Sequence, residues 1–311
     1  MRVENYSPVL IPTLCRHEHF IRLVESLKKC EESKYTELVI GLDYPPQEKY
    51  IYGWKKIKEY IPSITGFKQV KVFEASENLG ERGNVNVIIN YVIEKGYTSF
   101  IYSDDDNVFA PGFLSYMNWG LNKFKGNKNV MAICGYNYPI DMSRYNKTYY
   151  FSHNFAGWGF GIWTDTHIQL LQKVYNRSYC RSVLFNPMNL YKIAHKRGLR
   201  IILSIYRCYR NNKIHWDTFL TTYQYLRGKY SVFPSTTMVL NLGQDGSGIR
   251  SSYSESNIQK YSQQKIDLST KFNPSEDIPM VDNLEIEKEC LKHFNVNHLN
   301  YKKVISHFFP K

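Results

Sequence analysis

"TSFIYSDDDNVFAPGF", residues 98–113, decides how the chain is read. An apolar run ends in three adjacent aspartates, in a chain with a formal charge of +12. Like charges side by side repel, so the triplet needs a counter-charge. One solution is a solvated turn in which Asp106 or Asn107 caps the next element. The other is a hard divalent cation, Mg²⁺ or Mn²⁺, held by one or two carboxylates plus substrate phosphates. Residues 98–106 read as a buried strand running into the acidic turn, and that position favours the cation.

Outward from the triplet, the first third of the chain alternates. Residues 7–14, 36–44 and 67–76 read as strands, and 19–30, 51–61 and 82–96 as helices. Strand–helix alternation implies a parallel sheet covered by helices. Ligands in such sheets bind outside the carboxyl ends of the strands. Asp43, Asn78 and Asp104–Asp106 all follow predicted strands, which gathers polar groups along one edge. Beyond about residue 115 the texture becomes mixed and rich in Tyr, Trp and Gly, with helices expected near 164–176, 187–197 and 215–228. Polar residues and scattered prolines over 251–283 suggest a loose strap, and 284–309 a terminal helix. The expected division is 1–115, 116–250 and 251–311.

With 311 residues, 43% of them hydrophobic, the chain holds enough for a sizeable core. Its positive charge favours anionic partners: nucleic acid, an anionic membrane surface or phosphorylated small molecules. The six cysteines form no CxxC pair, so a zinc ribbon or thioredoxin-type motif is not expected. They read as reduced thiols of a cytoplasmic protein. The N-terminus carries no signal-peptide pattern, and no run approaches the ~18 apolar residues of a membrane span.

Other segments carry weaker signals. Arg16, after the first strand, has the bidentate geometry to meet a diphosphate. "ENLGERGN" (77–84) places Asn78, Gly80 and Arg82 in a turn opening a helix, where backbone donors favour anions. It is neither a P-loop nor a dinucleotide-binding turn. "FAGWGFGIW" (155–163) sets Trp158, Gly159 and Trp163 together. Indole faces suit a sugar ring, although core packing explains most tryptophans. Asp217, in "HWDTF", is either a helix-start charge or a general base. "LNLGQDGSGIR" (240–250) has the glycine content of a mobile lid.

Together these segments resemble the GT-A glycosyltransferases over roughly residues 7–250. They look most like the bacterial family-two-like sugar transferases and the N-acetylglucosaminyltransferase I group. The resemblance implies a Rossmann-like, mostly parallel central sheet with helices on both faces, an irregular acceptor-side half and a helical C-terminal tail. It implies that "VLIPTLCR" contributes Pro12, Thr13 and Arg16 to a nucleotide sugar, and that Asp43 reads a uracil ring. Asn78, Arg82, Asp104 and Asp105 would join them, with Asp106 as ligand to Mn²⁺ or Mg²⁺. Trp158, Gly159 and Trp163 would face sugar and acceptor, and Asp217 would be the base, with Asp245 and Asp165 next in line. The bacterial lid often ends in His. Here that position is Arg250, which cannot ligate a metal and reads as a phosphate clamp.

The expected activity is inverting, metal-dependent transfer from a nucleotide sugar, a UDP-sugar on this resemblance. The acceptor would be a hydroxyl of a glycan or lipid-linked saccharide, in surface polysaccharide synthesis. Segments 194–213 and 299–311 mix cations with aromatics, which suits a seat on anionic lipid at the inner membrane face or simply a solvated basic surface. Three alternatives remain. A sugar-nucleotide pyrophosphorylase needs a Gly-rich loop after the first strand, and "IPTLCRHEH" has no glycine. A nucleic-acid binder lacks any RNP, helix-turn-helix or zinc-finger pattern, so no nucleic-acid partner is expected. A non-catalytic carbohydrate-binding protein would keep the fold without turnover.

Overall fold

Four apolar runs of the first third form the strands that their patterning predicts. In the computed structural model, which describes residues 6–213, 215–248, 253, 255–274 and 277–294, β1 is Val9–Thr13, α1 His17–Lys28, β2 Glu37–Leu42, α2 Ile51–Tyr60, β3 Gln69–Glu74, α3 Gly80–Glu94 and β4 Ser99–Tyr102. β1 pairs in parallel with β2 on one side and β4 on the other, and β2 pairs in parallel with β3. β2 is buried along its whole length. Strands covered on both faces read as continuous apolar runs, which is why "VLIPT" and "ELVIGL" do not alternate.

The remainder adds β5 (Asn107–Phe109), α4 (Phe113–Lys123), β6 (Val130–Cys134), β7 (Tyr149–Ser152) and β8 (Phe160–Trp163). Helices α5 (Thr164–Lys173), α6 (Arg177–Leu184), α7 (Pro187–Arg197), α8 (Leu199–Asn211) and α9 (Trp216–Arg227) come next. Then come β9 (Tyr230–Pro234), β10 (Val239–Asn241), α10 (Glu255–Ser262) and α11 (Leu284–His293). The result is an eight-stranded sheet in the order β3-β2-β1-β4-β8-β6-β9-β7, plus a β10-β5 ribbon. β8 runs antiparallel between β4 and β6, and β7 antiparallel to β9. The expected parallel half is therefore joined to a mixed half, which explains the change of texture after residue 115. The fold is mixed α/β with a large, mostly parallel central sheet.

The 251–283 segment differs from the loose strap that its composition suggests. It contains α10, pairs Ile266 with Thr237 and packs Phe272 against Tyr116 and Trp119, with ring centroids 4.9 and 4.8 Å away. An aromatic anchor of this kind holds a polar segment without a regular element of its own. The terminal helix is seen as α11, and the rest of 284–309 lies outside the described residues. All six cysteines are free. Among the described residues, no helix is long and apolar enough to cross a membrane.

Candidate active site

Register builds the site. Leu10 on β1 stands opposite Tyr102 on β4, so three residues on, Asp105 arrives level with Thr13. The Thr13 hydroxyl donates to Asp105 Oδ2 at 2.8 Å. Arg16, in the turn that opens α1, forks between the two acids. Its Nη1 donates to Asp106 Oδ2 at 2.7 Å and its Nη2 to Asp105 Oδ1. Asp104 turns the other way and accepts from the Tyr102 hydroxyl at 3.0 Å. The counter-charge that the triplet demands is thus partly supplied from within the chain.

One arginine does not balance three acids. Burial first, then the charge on Asp106, pushes the Asp104 carboxyl up to about 8, against the Tyr102 hydrogen bond. Burial also raises Asp105, against the pull of Arg16. Arg16 itself is held protonated: burial opposes its charge, and Asp105 and Asp106 outweigh that.

The far side of Asp106 is closed by a segment more than a hundred residues away. β10 pairs antiparallel with β5, placing Asn241 opposite Asn107. Asn241 Nδ2 donates to Asp106 Oδ1 at 2.8 Å and to Asn107 Oδ1 at 3.0 Å, while Leu242 N donates to the Asp106 carbonyl at 2.9 Å. Gly243 then passes so close that a Cβ there would lie 2.0 Å from Asp106 Oδ2. Its lack of a side chain is what admits the carboxylate. Further along, Asp245 pairs with His19 of α1 at 3.2 Å. Arg250, the expected clamp at the end of this loop, lies outside the described residues.

Asp43 lies at the same sheet edge and is buried. Its carboxylate accepts from Tyr44 N at 2.9 Å, Leu79 N at 2.8 Å and Asn78 Nδ2 at 3.2 Å. Asp43 and Asn78 therefore meet, and together they shape the loop before α3. Arg82, on the first turn of α3, is exposed and joins no ion pair among the described residues. Pro12 sits within β1 opposite Gly41, half-buried.

A second feature lies across Tyr102, whose ring centroid is 5.5 Å from that of Trp216. Trp216 and Asp217 open α9. Thr221 and Gln224, further along α9, hold the main chain of 153–155: the Thr221 hydroxyl accepts from Phe155 N at 3.1 Å, and Gln224 Nε2 donates to the Asn154 carbonyl at 2.9 Å. That docking brings Asp217 against Gly157, where a Cβ would be 2.6 Å from Asp217 Oδ1. Asp217 faces a cavity of about 390 Å³, shared with Tyr136, Trp158, Arg197, Tyr261 and His293 among others. Asp217 is exposed, with its carboxylate open to the cavity. The protein mass of the cavity walls replaces part of its hydration, and that desolvation pushes Asp217 up to about 6. Trp158 forms one wall, edge-on to Tyr136 at 4.6 Å and to Tyr261 at 5.4 Å. The buried Tyr136 hydroxyl has no hydrogen-bond partner among the described residues.

Trp158 thus lines the cavity, Gly159 beside it packs toward Phe109, Phe113 and Val239, and Trp163 lies away from the site. Phe160 pairs with Tyr102, but Trp163 pairs with Ser99 at the opposite end of β4. The Trp163 indole donates to the Leu121 carbonyl at 3.1 Å, as a packed core tryptophan. Alternation in "GWGFGIW" suggests one shared surface, but a strand pointing away from the edge carries its last residue out of reach. Asp165, just beyond, is exposed on the first turn of α5.

Among the described residues, no group of three or more His, Cys, Asp or Glu side chains is arranged to hold a metal alone. A hard divalent cation completed by phosphate and water still fits. It needs only one or two carboxylates. Asp106 keeps spare lone pairs beside its two hydrogen bonds, and among the described ion pairs Arg16 alone faces the triplet. Sequence reading missed Thr13 as an Asp105 partner, Asn241, Tyr102 and Tyr136. Only the glycine after "NL" hinted at the Asn241 turn.

No family model matches the chain, and no curated protein matches it. Solved structures give remote likenesses. The mannosyltransferase PcManGT from Pyrobaculum calidifontis, in complex with GDP-Man and Mn²⁺, is 12% identical at a TM-score of 0.38, covering 71% of this chain and 69% of that one. S. aureus TarS 1-349 is 14% identical at a TM-score of 0.39, covering 75% and 59%. S. aureus TarS is 14% identical at 0.33, covering 54% and 30%, so the chain spans less than two thirds of either TarS structure.

Proposed function

We propose that the protein is an inverting, metal-dependent glycosyltransferase. It moves a sugar from a nucleotide sugar, a UDP-sugar in the first instance, to a hydroxyl of a glycan or lipid-linked saccharide. One observation carries the reading. The acidic turn at the sheet edge and the helix start that carries Asp217 are joined through Tyr102, which donates to Asp104 and lies tilted against Trp216. That link supports reading the acidic turn as a diphosphate site and Asp217 as a base that serve one substrate.

Asp106 would hold Mn²⁺ or Mg²⁺, with Asp104 and Asp105 on the nucleotide side. That cation, when bound, neutralises charge on the departing nucleotide. The chain's own residues supply the rest. Arg16 and Thr13 fix Asp105 and Asp106, and Asp43 and Asn78 shape the neighbouring loop for the nucleotide. Trp158 offers an apolar face to a sugar, and the Tyr136 hydroxyl offers a hydrogen bond to a polar substrate. Asp217 accepts the proton of the acceptor hydroxyl as its oxygen bonds to the anomeric carbon. The bond from that carbon to the diphosphate oxygen breaks, and the nucleoside diphosphate leaves. Attack opposite the leaving group inverts the anomeric centre.

A thermal-shift screen of UDP- and GDP-sugars with and without Mn²⁺ tests donor binding, because a ligand that binds only the folded state raises apparent stability. The expected result is a Tm rise with one nucleotide sugar that needs Mn²⁺ and vanishes in Asp106→Ala. Metal-independent shifts of equal size in both proteins would reject the site. Product NMR then reads the anomeric configuration, where retention rejects the single displacement.

A further inference from the structure

Between Asp165 and Asp217 the chain contains no acidic residue and ten Lys or Arg. Most of the molecule's net charge of +12 therefore sits in one run of 51 residues. Beyond the end of α5 that run folds as α6, α7 and α8, which pack on one another and carry eight of the ten. Its surface is cationic, and among the described ion pairs only Arg197 of the ten meets a carboxylate, Glu287 at 3.1 Å. The same helices expose large apolar side chains. Phe185 is 71% exposed, Met188 59% and Tyr191 65%. Between α6, α7 and α8 lies an apolar cavity of about 200 Å³ lined by Leu184, Phe185, Leu190, Ile202, Tyr206 and Tyr209. Arginines ring it: Arg177 lies 4.7 Å over the Tyr209 ring and Arg181 5.9 Å over the Phe185 ring.

We infer that α6–α8 form a docking surface for an anionic phospholipid bilayer. Two features choose the occupant. The exposed Phe, Met and Tyr, with an apolar cavity beneath, need an apolar environment to leave water. The cations around them need negative charge in the same plane. An interface of anionic headgroups over acyl chains provides both. A second copy of this chain does not, because a self-complementary contact would press one cationic face on another. Nucleic acid answers the charge and leaves Phe185 and Met188 in water. Segment 194–213 therefore binds as part of a three-helix face whose apolar half comes from 185–191, while segment 299–311 lies outside the described residues. α8 also lines the Asp217 cavity through Arg200 and Ile201, so a docked molecule holds that cavity close to the bilayer. The docking itself does not depend on the transferase reading.

Vesicle flotation tests it with the full-length protein. The protein is expected to float with vesicles of phosphatidylcholine and phosphatidylglycerol, not with phosphatidylcholine alone, and to be released by 0.5 M salt, about the range where headgroup attraction is screened. Phe185→Ser with Met188→Ser and Tyr191→Ser should weaken flotation by roughly tenfold or more, since three exposed apolar side chains no longer insert. Its melting temperature should be unchanged. Arg177→Gln with Arg181→Gln should weaken flotation on anionic vesicles. Failure of the wild type to float, or flotation of the apolar triple variant at the wild-type level, overturns the proposal. So does salt-sensitive binding to DNA or RNA that the triple variant retains in full. These readouts use no sugar and no turnover, so they fail or succeed separately from the transferase assay.

Discussion

Asp217 has two opposed properties. It is the first-turn acid of α9, where the helix dipole favours its charge, yet desolvation by the cavity walls pushes its carboxyl up to about 6. A base must be ionised to accept a proton, so kcat should rise with pH through about 6 and level off above it. The stability effect has the opposite sign. The unfolded carboxyl ionises near 3.9, roughly the ordinary value. Between that value and the folded one, the folded state binds more protons, so stability falls as pH rises across the window. Asp217→Asn removes both effects. Its kcat should drop by roughly 10²–10⁴, with donor binding retained. Its Tm should exceed that of wild type at pH 7.5 by a small margin, because Asp217 is exposed to solvent in the cavity, and the gap should close below pH 4 or thereabouts. Nucleotide-release kinetics and melting curves across pH check both. Turnover within a fewfold of wild type would move the base elsewhere. Asp245 is then the nearer substitute, since Asp165 follows Trp163 at the opposite end of β4.

The element that completes the site is the β10 ribbon with the turn after it. Asn241 binds Asp106, and Gly243 leaves room for the carboxylate. Gly243→Ala puts a methyl 2.0 Å from Asp106 Oδ2, so the carboxylate or the turn must move. The expected result is at least a tenfold loss of metal-dependent turnover, on the order of what a 1 Å misplacement costs. Tm should change little, because the atom displaced is a half-buried side-chain end at the sheet edge. A variant with normal turnover would mean that the turn does not set the Asp106 position. This ribbon also marks where sequence reading stops. β1 to β4 are legible because buried parallel strands leave unbroken apolar runs between amphipathic helices. Asp43 and the acidic turn are legible because they follow such runs. β6 to β9 are short, and their neighbours in the sheet are not their neighbours in the chain: β8 reaches β4 across some sixty residues. Asn241 meets Asp106 across 135 residues, and no local pattern announces such a contact. The Asp217 cavity is assembled from Tyr136, Trp158, Arg197 and His293, each on a different segment, so its existence follows only from packing.

Across the whole molecule, positive charge is distributed in two ways. One concentration covers α6–α8, and a single arginine, Arg16, holds the acidic edge of the sheet. The edge therefore stands one or more charges short, and the rest of the fold tolerates that only because Arg16 is already there. Arg16→Met should expose this. The variant leaves Asp105, only 5% exposed, without its cation. Breaking a buried pair from one side costs about 3–5 kcal/mol. In a chain of this size that lowers Tm by roughly ten degrees, at about 2–4 °C per kcal/mol. The loss should be greatest at neutral and alkaline pH and shrink as pH falls through the carboxylate range, because protonating Asp105 relieves the unpaired charge. Mn²⁺ supplies the same sign of charge to the same oxygens. Millimolar Mn²⁺ should therefore raise the Tm of Arg16→Met by more than it raises that of wild type, and EDTA should reverse both. If Mn²⁺ moves neither melting temperature, the acidic turn is balanced by protons and Arg16 alone, and the cation belongs elsewhere.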